Sequence, residues 1–238
     1  MSEKAQLRRV EENEFVQIIS SGPLVTTAKP HVRTLSERTR QEFRNLVQRL
    51  FLSSYPDGPR VVVFSAVDHG NGCSWTSARI AEVLADTTDR MVCLIDANFR
   101  SPNAFREFRC GKLAKLSDEE WSLAPLGDST PANLRLLSYR PLLQFPTAAS
   151  LEGFQLRLAN LRKDFYVLID APPLNGYAEA ALFGRMADGL VLIVAANDTR
   201  REPARKARQL LDESGIPVLG AVLNKRVFHI PEPLYKRL

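Results

Sequence analysis

Residues 60–75 read Arg60-Val61-Val62-Val63-Phe64-Ser65-Ala66-Val67-Asp68-His69-Gly70-Asn71-Gly72-Cys73-Ser74-Trp75, and their reading decides the fold. The segment opens with a short, continuously apolar run, as expected of a strand buried on both faces. Gly70 and Gly72 then punctuate a loop, and the following pattern predicts a helix over 72–86. Downstream, strand and helix keep alternating. Strands are predicted at 91–96, 133–138, 165–170, 189–195 and 217–224, and helices at 151–163, 178–186 and 201–213. A less regular region, 98–131, carries a short predicted helix around 103–109. Six such alternations with apolar strands argue for one α/β domain on a doubly wound, mostly parallel sheet. No internal repeat is visible.

Upstream of residue 60, a turn cluster (Tyr55-Pro56-Asp57-Gly58-Pro59) ends a helix predicted over 36–52. Phe43, Leu46, Val47, Leu50 and Phe51 give that helix one apolar face. Residues 1–34 read as an N-terminal arm in which Leu7, Val10, Phe15, Ile18 and Ile19 line one side of a short helix before Ser20-Ser21-Gly22-Pro23 breaks it. The chain therefore divides into an arm (1–34), a domain (35–226) and a basic tail (227–238) whose Pro231 and Pro233 oppose a long helix.

Composition excludes several classes. With 238 residues, 45% hydrophobic and 25% charged, the chain is an ordinary globular sequence rather than a fibrous or disordered one. Its three cysteines (Cys73, Cys93, Cys110) are too few for a disulfide scaffold and lack zinc-type spacing, which points to a reducing compartment. No apolar run approaches the length of a membrane span, and the N-terminus has no signal-peptide core. The formal charge of +5 invites a nucleic-acid reading, but it is localised. Residues 199–238 hold nine Lys/Arg against four Asp/Glu, so the rest of the chain is balanced and a nucleic-acid-binding body is not expected.

Three segments carry chemistry, each at the carboxyl end of a predicted strand, where open parallel sheets bind ligands. In the first, Gly70-Asn71-Gly72-Cys73-Ser74 joins strand to helix. Glycines there let backbone N–H groups face phosphate oxygens, and the helix N-terminus adds its dipole. A phosphate-binding loop of this kind also wants Lys before the Ser/Thr, and here that position is Cys73. Val67 stands where the general motif has its first glycine. Ser74, the residue that would hold Mg²⁺, is retained. The second segment is Asp96-Ala97-Asn98-Phe99-Arg100, polar groups at two-residue intervals from a strand tip. The third is an apolar strand ending in Asp170, followed by Pro172 and Pro173, an arrangement in which the carboxylate approaches Mg²⁺.

In this order and spacing the three segments resemble the bacterial tyrosine kinases of capsule and exopolysaccharide synthesis, in the MinD/ParA-like branch of P-loop NTPase folds. The resemblance spans residues 36–226. It places Gly70, Asn71, Gly72, Cys73, Ser74 and Trp75 on the family's G-E-G-K-S-T, Asp96, Asn98 and Arg100 on D-x-D-x-R, and Asp170, Pro172 and Pro173 on D-x-P-P. Ala187-Asp188-Gly189-Leu190 matches the family's ADG stretch. Gly220-Ala221-Val222-Leu223-Asn224 matches its G-x-V-L-N strand, whose Asn contacts adenine in related ATPases. The resemblance implies ATP or ADP with Mg²⁺ as cofactor. It implies Asp96 and Asp170 as catalytic residues, Ser74 and Asp170 as metal ligands, and residues 70–75, Asn98, Arg100 and Asn224 around the nucleotide. It also implies a transmembrane polysaccharide co-polymerase (chain-length regulator) as partner, a homo- or hetero-oligomer, and a place in the cytoplasm at the inner membrane face.

The departures fall on the chemistry. Cys73 replaces the phosphate-binding Lys, Asn98 replaces a carboxylate, and Trp75 replaces a small hydroxyl residue. The oligomerisation motif E-x-x-R-x-x-R reads Gln41, Arg44, Val47, and the terminal tyrosine cluster is reduced to Tyr235. Losing one charge-assisted hydrogen bond of about 1.5–3 kcal/mol weakens ATP binding about tenfold to a hundredfold. Transfer suffers more, on the order of 10²–10³ in rate. The expectation is a degenerate tyrosine-kinase-like protein whose nucleotide binding is weak or lost, acting as a regulator or partner in polysaccharide synthesis and export. Two alternatives stand beside it: an active kinase with a cation relocated from elsewhere, and a ParA/MinD-like positioning ATPase. Cys73, at a helix N-terminus, is a further candidate for a lowered thiol pKa.

Overall fold

A computed structural model describes residues 15–18, 36–54, 56–98, 124–125, 130–138 and 148–226. In chain order the elements are β1 (Phe15–Ile18), α1 (Glu37–Val47), β2 (Val61–Ala66), α2 (Cys73–Thr87), β3 (Met91–Asp96), β4 (Ala124–Pro125), β5 (Leu134–Ser138), α3 (Ala148–Asp164), β6 (Phe165–Asp170), α4 (Glu179–Gly184), β7 (Gly189–Ala195), α5 (Arg201–Glu213) and β8 (Val218–Asn224). They form one sheet in the order β1-β8-β7-β2-β6-β3-β5-β4. Every neighbouring pair is parallel except β4 with β5. The expected doubly wound, mostly parallel α/β architecture is therefore the observed one.

The apolar runs behave as read. Every residue of β2 is buried, and β3 and β6 are buried after their first residue, because helices cover both faces of the sheet. On one face, Phe43, Leu46 and Leu50 meet Ile80 and Leu84 of α2 and the even-numbered side chains of β2 (Val62, Phe64). On the other, Val61 and Val63 pack with Phe154 and Leu158 of α3, Phe183 of α4 and Leu211 of α5. Ser36 caps α1 by accepting from the Thr39 N–H, and Gln48–Leu52 extends that helix as one π-helical turn.

Asp188 clasps the start of the central strand. Its Oδ2 accepts from the N–H groups of Arg60 (2.7 Å) and Val61 (2.9 Å), and its Oδ1 from Arg162 (2.8 Å). Gly189 follows because a Cβ there would lie 2.6 Å from Leu219 Cγ and 2.8 Å from the Pro217 carbonyl.

Two expectations need correction. Phe15 and Ile18 do not line a helix: residues 15–18 are a strand paired in parallel with β8. Phe-Val-Gln-Ile has strong β-propensity, and without it β8 would present an unpaired edge. A two-residue strand, Ala124–Pro125, also interrupts the region read as irregular. Its proline is tolerated because the strand lies at the sheet edge. The helix predicted around 103–109 and the tail 227–238 lie outside the described residues, as do most of the arm and Tyr235. No helix among the described residues is long and apolar enough to cross a membrane.

The topology fixes where a ligand sits. From β2 the chain crosses to β3. It later returns to place β6 between the two, and then continues on the other side of β2 with β7 and β8. The loop after β2 therefore opens at a switch point of the strand order.

Candidate functional site

The β2–α2 loop is shaped by two glycines in the left-handed region, Gly70 (φ 83°) and Gly72 (φ 89°). Gly72 is doubly constrained, because a Cβ there would run into the Asn224 amide. Gly72 is also the N-cap of α2 and offers no side chain to that helix's first N–H groups, so they remain available at the loop. Together these features make a preformed nest for an anion. The loop lines a cleft of about 230 Å³ with Asp68, His69, residues 70–75, Asn98, Ala171 and Pro173. The volume suits a phosphate chain better than a whole nucleotide. Among the described residues that line it, none is Lys or Arg.

Cys73 turns inward. It is 7% exposed, and its thiol lies beside the carboxylate of Asp170. Burial pushes the thiol pKa well above its ordinary value, and the adjacent Asp170 carboxylate pushes it the same way. The Ala66 backbone opposes them without prevailing. This reverses the expectation of a lowered thiol pKa, since the helix dipole is outweighed by loss of water and by the adjacent carboxylate.

Asp170 and Asp96 end adjacent strands as register partners, and both are buried. The Asp96 carboxylate accepts from the Asn98 N–H at 3.3 Å, while the Ala97 N–H donates to the Asp170 carbonyl at 3.0 Å. Ser65 fixes the segment after Asp170 by donating to the Pro172 carbonyl at 2.6 Å. Ser74 lines the cleft one residue from the Cys73–Asp170 contact. Among the described residues no three or more His, Cys, Asp and Glu side chains cluster to hold a metal. A Mg²⁺ ion would rest on Ser74, Asp170 and the ligand's own phosphates. The residues present fit a polyphosphate held by backbone amides. Among the described residues that line the cleft, none supplies the lysine or arginine cation that stabilises its transfer.

Trp75 lines the cleft and also packs on Phe43, with ring centroids 5.7 Å apart and planes at 60°, which ties the mouth of the cleft to α1. Val47 lies in the core, so the third position of the 41-44-47 motif is not a surface position. Arg44 is exposed and pairs with Glu37 at 3.3 Å.

Of the residues expected from sequence, 70–75 and Asn98 surround the cleft, with Asp170 beneath Cys73 and Asp96 beside Asp170. Arg100 lies outside the described residues. Asn224 is not part of the cleft lining: its amide stands behind the loop and donates to the Asn71 carbonyl at 2.9 Å. The Asn71 side chain likewise points into the protein, where it accepts from the Asp68 N–H and from Thr199. Sequence reading missed Asp68, Asn175 and Thr199. Asn175 and Thr199 come from loops more than a hundred residues downstream, and only the topology brings them here.

Comparison with known proteins bears on this site. No protein-family model matches the chain. Tyrosine-protein kinase YwqD of Bacillus subtilis (strain 168) is 27% identical over 190 residues, which is 77% of this chain and 80% of the relative. Tyrosine-protein kinase CpsD of Streptococcus pneumoniae serotype 4 is 29% identical over 176 residues, 71% of this chain and 77% of the relative. Among solved structures, the chimerical protein CapA2B2 superposes with a TM-score of 0.72 at 18% identity, over 95% of this chain and all of that one. A nucleotide-binding protein from Archaeoglobus fulgidus, in complex with ADP, gives a TM-score of 0.51 at 18% identity over 81% of this chain and 74% of that one. Relatives of this chain thus include several named as bacterial tyrosine-protein kinases, and its fold is the MinD/ParA-like P-loop fold.

Proposed function

We propose that the chain is a nucleotide-binding relative of the bacterial tyrosine kinases in which the phosphate cradle is kept and the transfer chemistry is attenuated. In this reading it acts as a regulatory partner in capsule or exopolysaccharide synthesis. One observation carries the reading. At the position of the phosphate-binding lysine stands Cys73, a buried neutral thiol that faces inward beside Asp170. The backbone nest of Gly70, Gly72 and the α2 N-terminus survives beside it. Such a site binds the phosphates of ADP or ATP through amides, Ser74 and Mg²⁺. It forgoes the cation worth on the order of 10²–10³ in rate. Asp96 is the carboxylate left to accept a proton from an attacking hydroxyl, since Asn98 is an amide.

The partner in this reading is a transmembrane polysaccharide co-polymerase. It would hold the chain at the inner face of the cytoplasmic membrane, in a homo- or hetero-oligomer. The relatives' names and the structural likeness to CapA2B2 support it. Incubation with labelled ATP and Mg²⁺, alongside thermal melting with Mg-ADP, tests the attenuated site. The expected outcome is a raised melting temperature with negligible phosphotyrosine and little released phosphate. Efficient phosphotyrosine formation would instead establish the second reading, an active kinase with a relocated cation. One observation favours that alternative: Arg200 is exposed, has no ion pair among the described residues, and directly follows Thr199, which touches the loop.

A further inference from the structure

Asn71 sits at the centre of a hydrogen-bond network that the nucleotide site does not account for. It is 1% exposed. Its Oδ1 accepts from the Asp68 N–H at 2.9 Å and from the Thr199 hydroxyl at 3.3 Å. Its carbonyl accepts from Asn224 Nδ2 at 2.9 Å, and its N–H donates to the Asp68 carbonyl at 3.4 Å. Asp68 is held in turn by Asn175 Nδ2 at 2.9 Å. The loop itself, the β7–α5 turn and the end of β8 therefore converge on Asn71, and the segment after β6 joins the network through Asp68.

The two hydrogen bonds at Oδ1 tie this side chain back into the protein, and an amide oxygen, an acceptor only, offers a phosphate nothing. Its effect is on the shape of Gly70 and Gly72 on either side. The Thr199 end of the network is itself fixed. The Thr199 hydroxyl accepts from the Ala195 N–H at 2.9 Å, the Thr199 N–H donates to the Ala195 carbonyl at 3.0 Å, and Asn197 holds the turn in the left-handed region (φ 62°).

We propose that Thr199 is a positioning residue for the phosphate loop: acting through Asn71, and together with Asn224, it holds the loop in its anion-binding shape before any ligand arrives. The idea rests on the nucleotide reading for its consequence and on the loop alone for its test. A nest that is already folded spends no ligand binding energy on ordering itself, which matters most where the lysine is missing.

Thr199→Val removes the hydroxyl and keeps the shape; Thr199→Ser keeps the hydroxyl. Amide hydrogen exchange over residues 68–72, without ligand, reads the loop directly. Titrations with Mg-ADP and with adenosine read the consequence. Thr199→Val, which also removes the acceptor of the Ala195 N–H, is expected to speed loop exchange and weaken Mg-ADP about threefold to tenfold, in line with the one lost hydrogen bond to the loop. Adenosine binding should be unmoved, and Thr199→Ser should match the parent in both. Unchanged loop exchange in Thr199→Val overturns the proposal. So does failure of Thr199→Ser to restore it, or an equal loss of adenosine and ADP. If the parent binds no Mg-ADP while Thr199→Val still loosens the loop, the nucleotide reading falls and the latch stands.

Discussion

The two sides of the β2–α2 loop contrast sharply. Behind it, Asn71, Asp68, Asn175, Thr199 and Asn224 are joined by hydrogen bonds, and Gly72 lies too close to Asn224 for any side chain. In front, where the relatives' motif has a lysine, a neutral thiol faces Asp170 and no lining residue among those described is a cation. In the proposed reading, the site keeps its shape and lacks its charge. The contrast teaches that the two are specified by different residues: backbone conformation by a distributed polar network, electrostatics by a single side chain. In the proposed reading, one substitution in front attenuates transfer while leaving the cradle folded.

The largest effect that sharpens this contrast lies in front. Cys73→Lys should raise phosphoryl release from Mg-ATP by on the order of 10²–10³, because it restores a cation to an intact nest. A steady-state phosphate assay checks it. No gain would mean that Asn98 or Trp75 blocks the chemistry as well.

Breaking the other side should cost stability. Gly72→Ala forces a side chain into a left-handed residue and against the Asn224 amide, so unfolding free energy should fall by about 1–3 kcal/mol. Urea denaturation measures this. Mg-ADP binding should be lost in the same variant, whereas Cys73→Ala should leave the loop's hydrogen exchange close to that of the parent.

A third effect is a pH dependence of stability in the alkaline range. Burial pushes the Cys93 thiol up to about 12, and the Cys73 thiol is also raised. A raised thiol stays protonated in the folded chain while the unfolded chain ionises. Its contribution is thus fully present below the unfolded pKa, near 9.0, and is lost as pH rises toward the folded value. Each such thiol gives a slope of up to about 1.4 kcal/mol per pH unit in that alkaline window. Urea midpoints between pH 8 and 11 (an assay range of about three units) should fall, and Cys93→Ala should flatten the decline. The same two thiols should resist thiol-directed reagents until the protein unfolds.

Much of the fold was legible because buried parallel strands announce themselves. The runs MVCLID, FYVLID and GLVLIVA coincide with β3, β6 and β7, and α5 runs over 201–213 as predicted. Phe15–Ile18 was misread because four residues fit either period, and only pairing with β8 decides between them. The front of the site was legible because phosphate loops concentrate their chemistry in consecutive residues. The back was not, since Asn175 and Thr199 carry no local motif and reach the loop through topology. The sign of the Cys73 shift was missed for a related reason: sequence shows the helix N-terminus, but not that Asp170 and full burial would oppose it.

The most direct test of the account is a calorimetric titration of the parent and Cys73→Lys with Mg-ADP. The account predicts that the parent binds, with an affinity about tenfold to a hundredfold below that of Cys73→Lys, the gap one charge-assisted hydrogen bond leaves. Absence of binding in both proteins would contradict it, because the cradle behind the missing charge would then not be a nucleotide site.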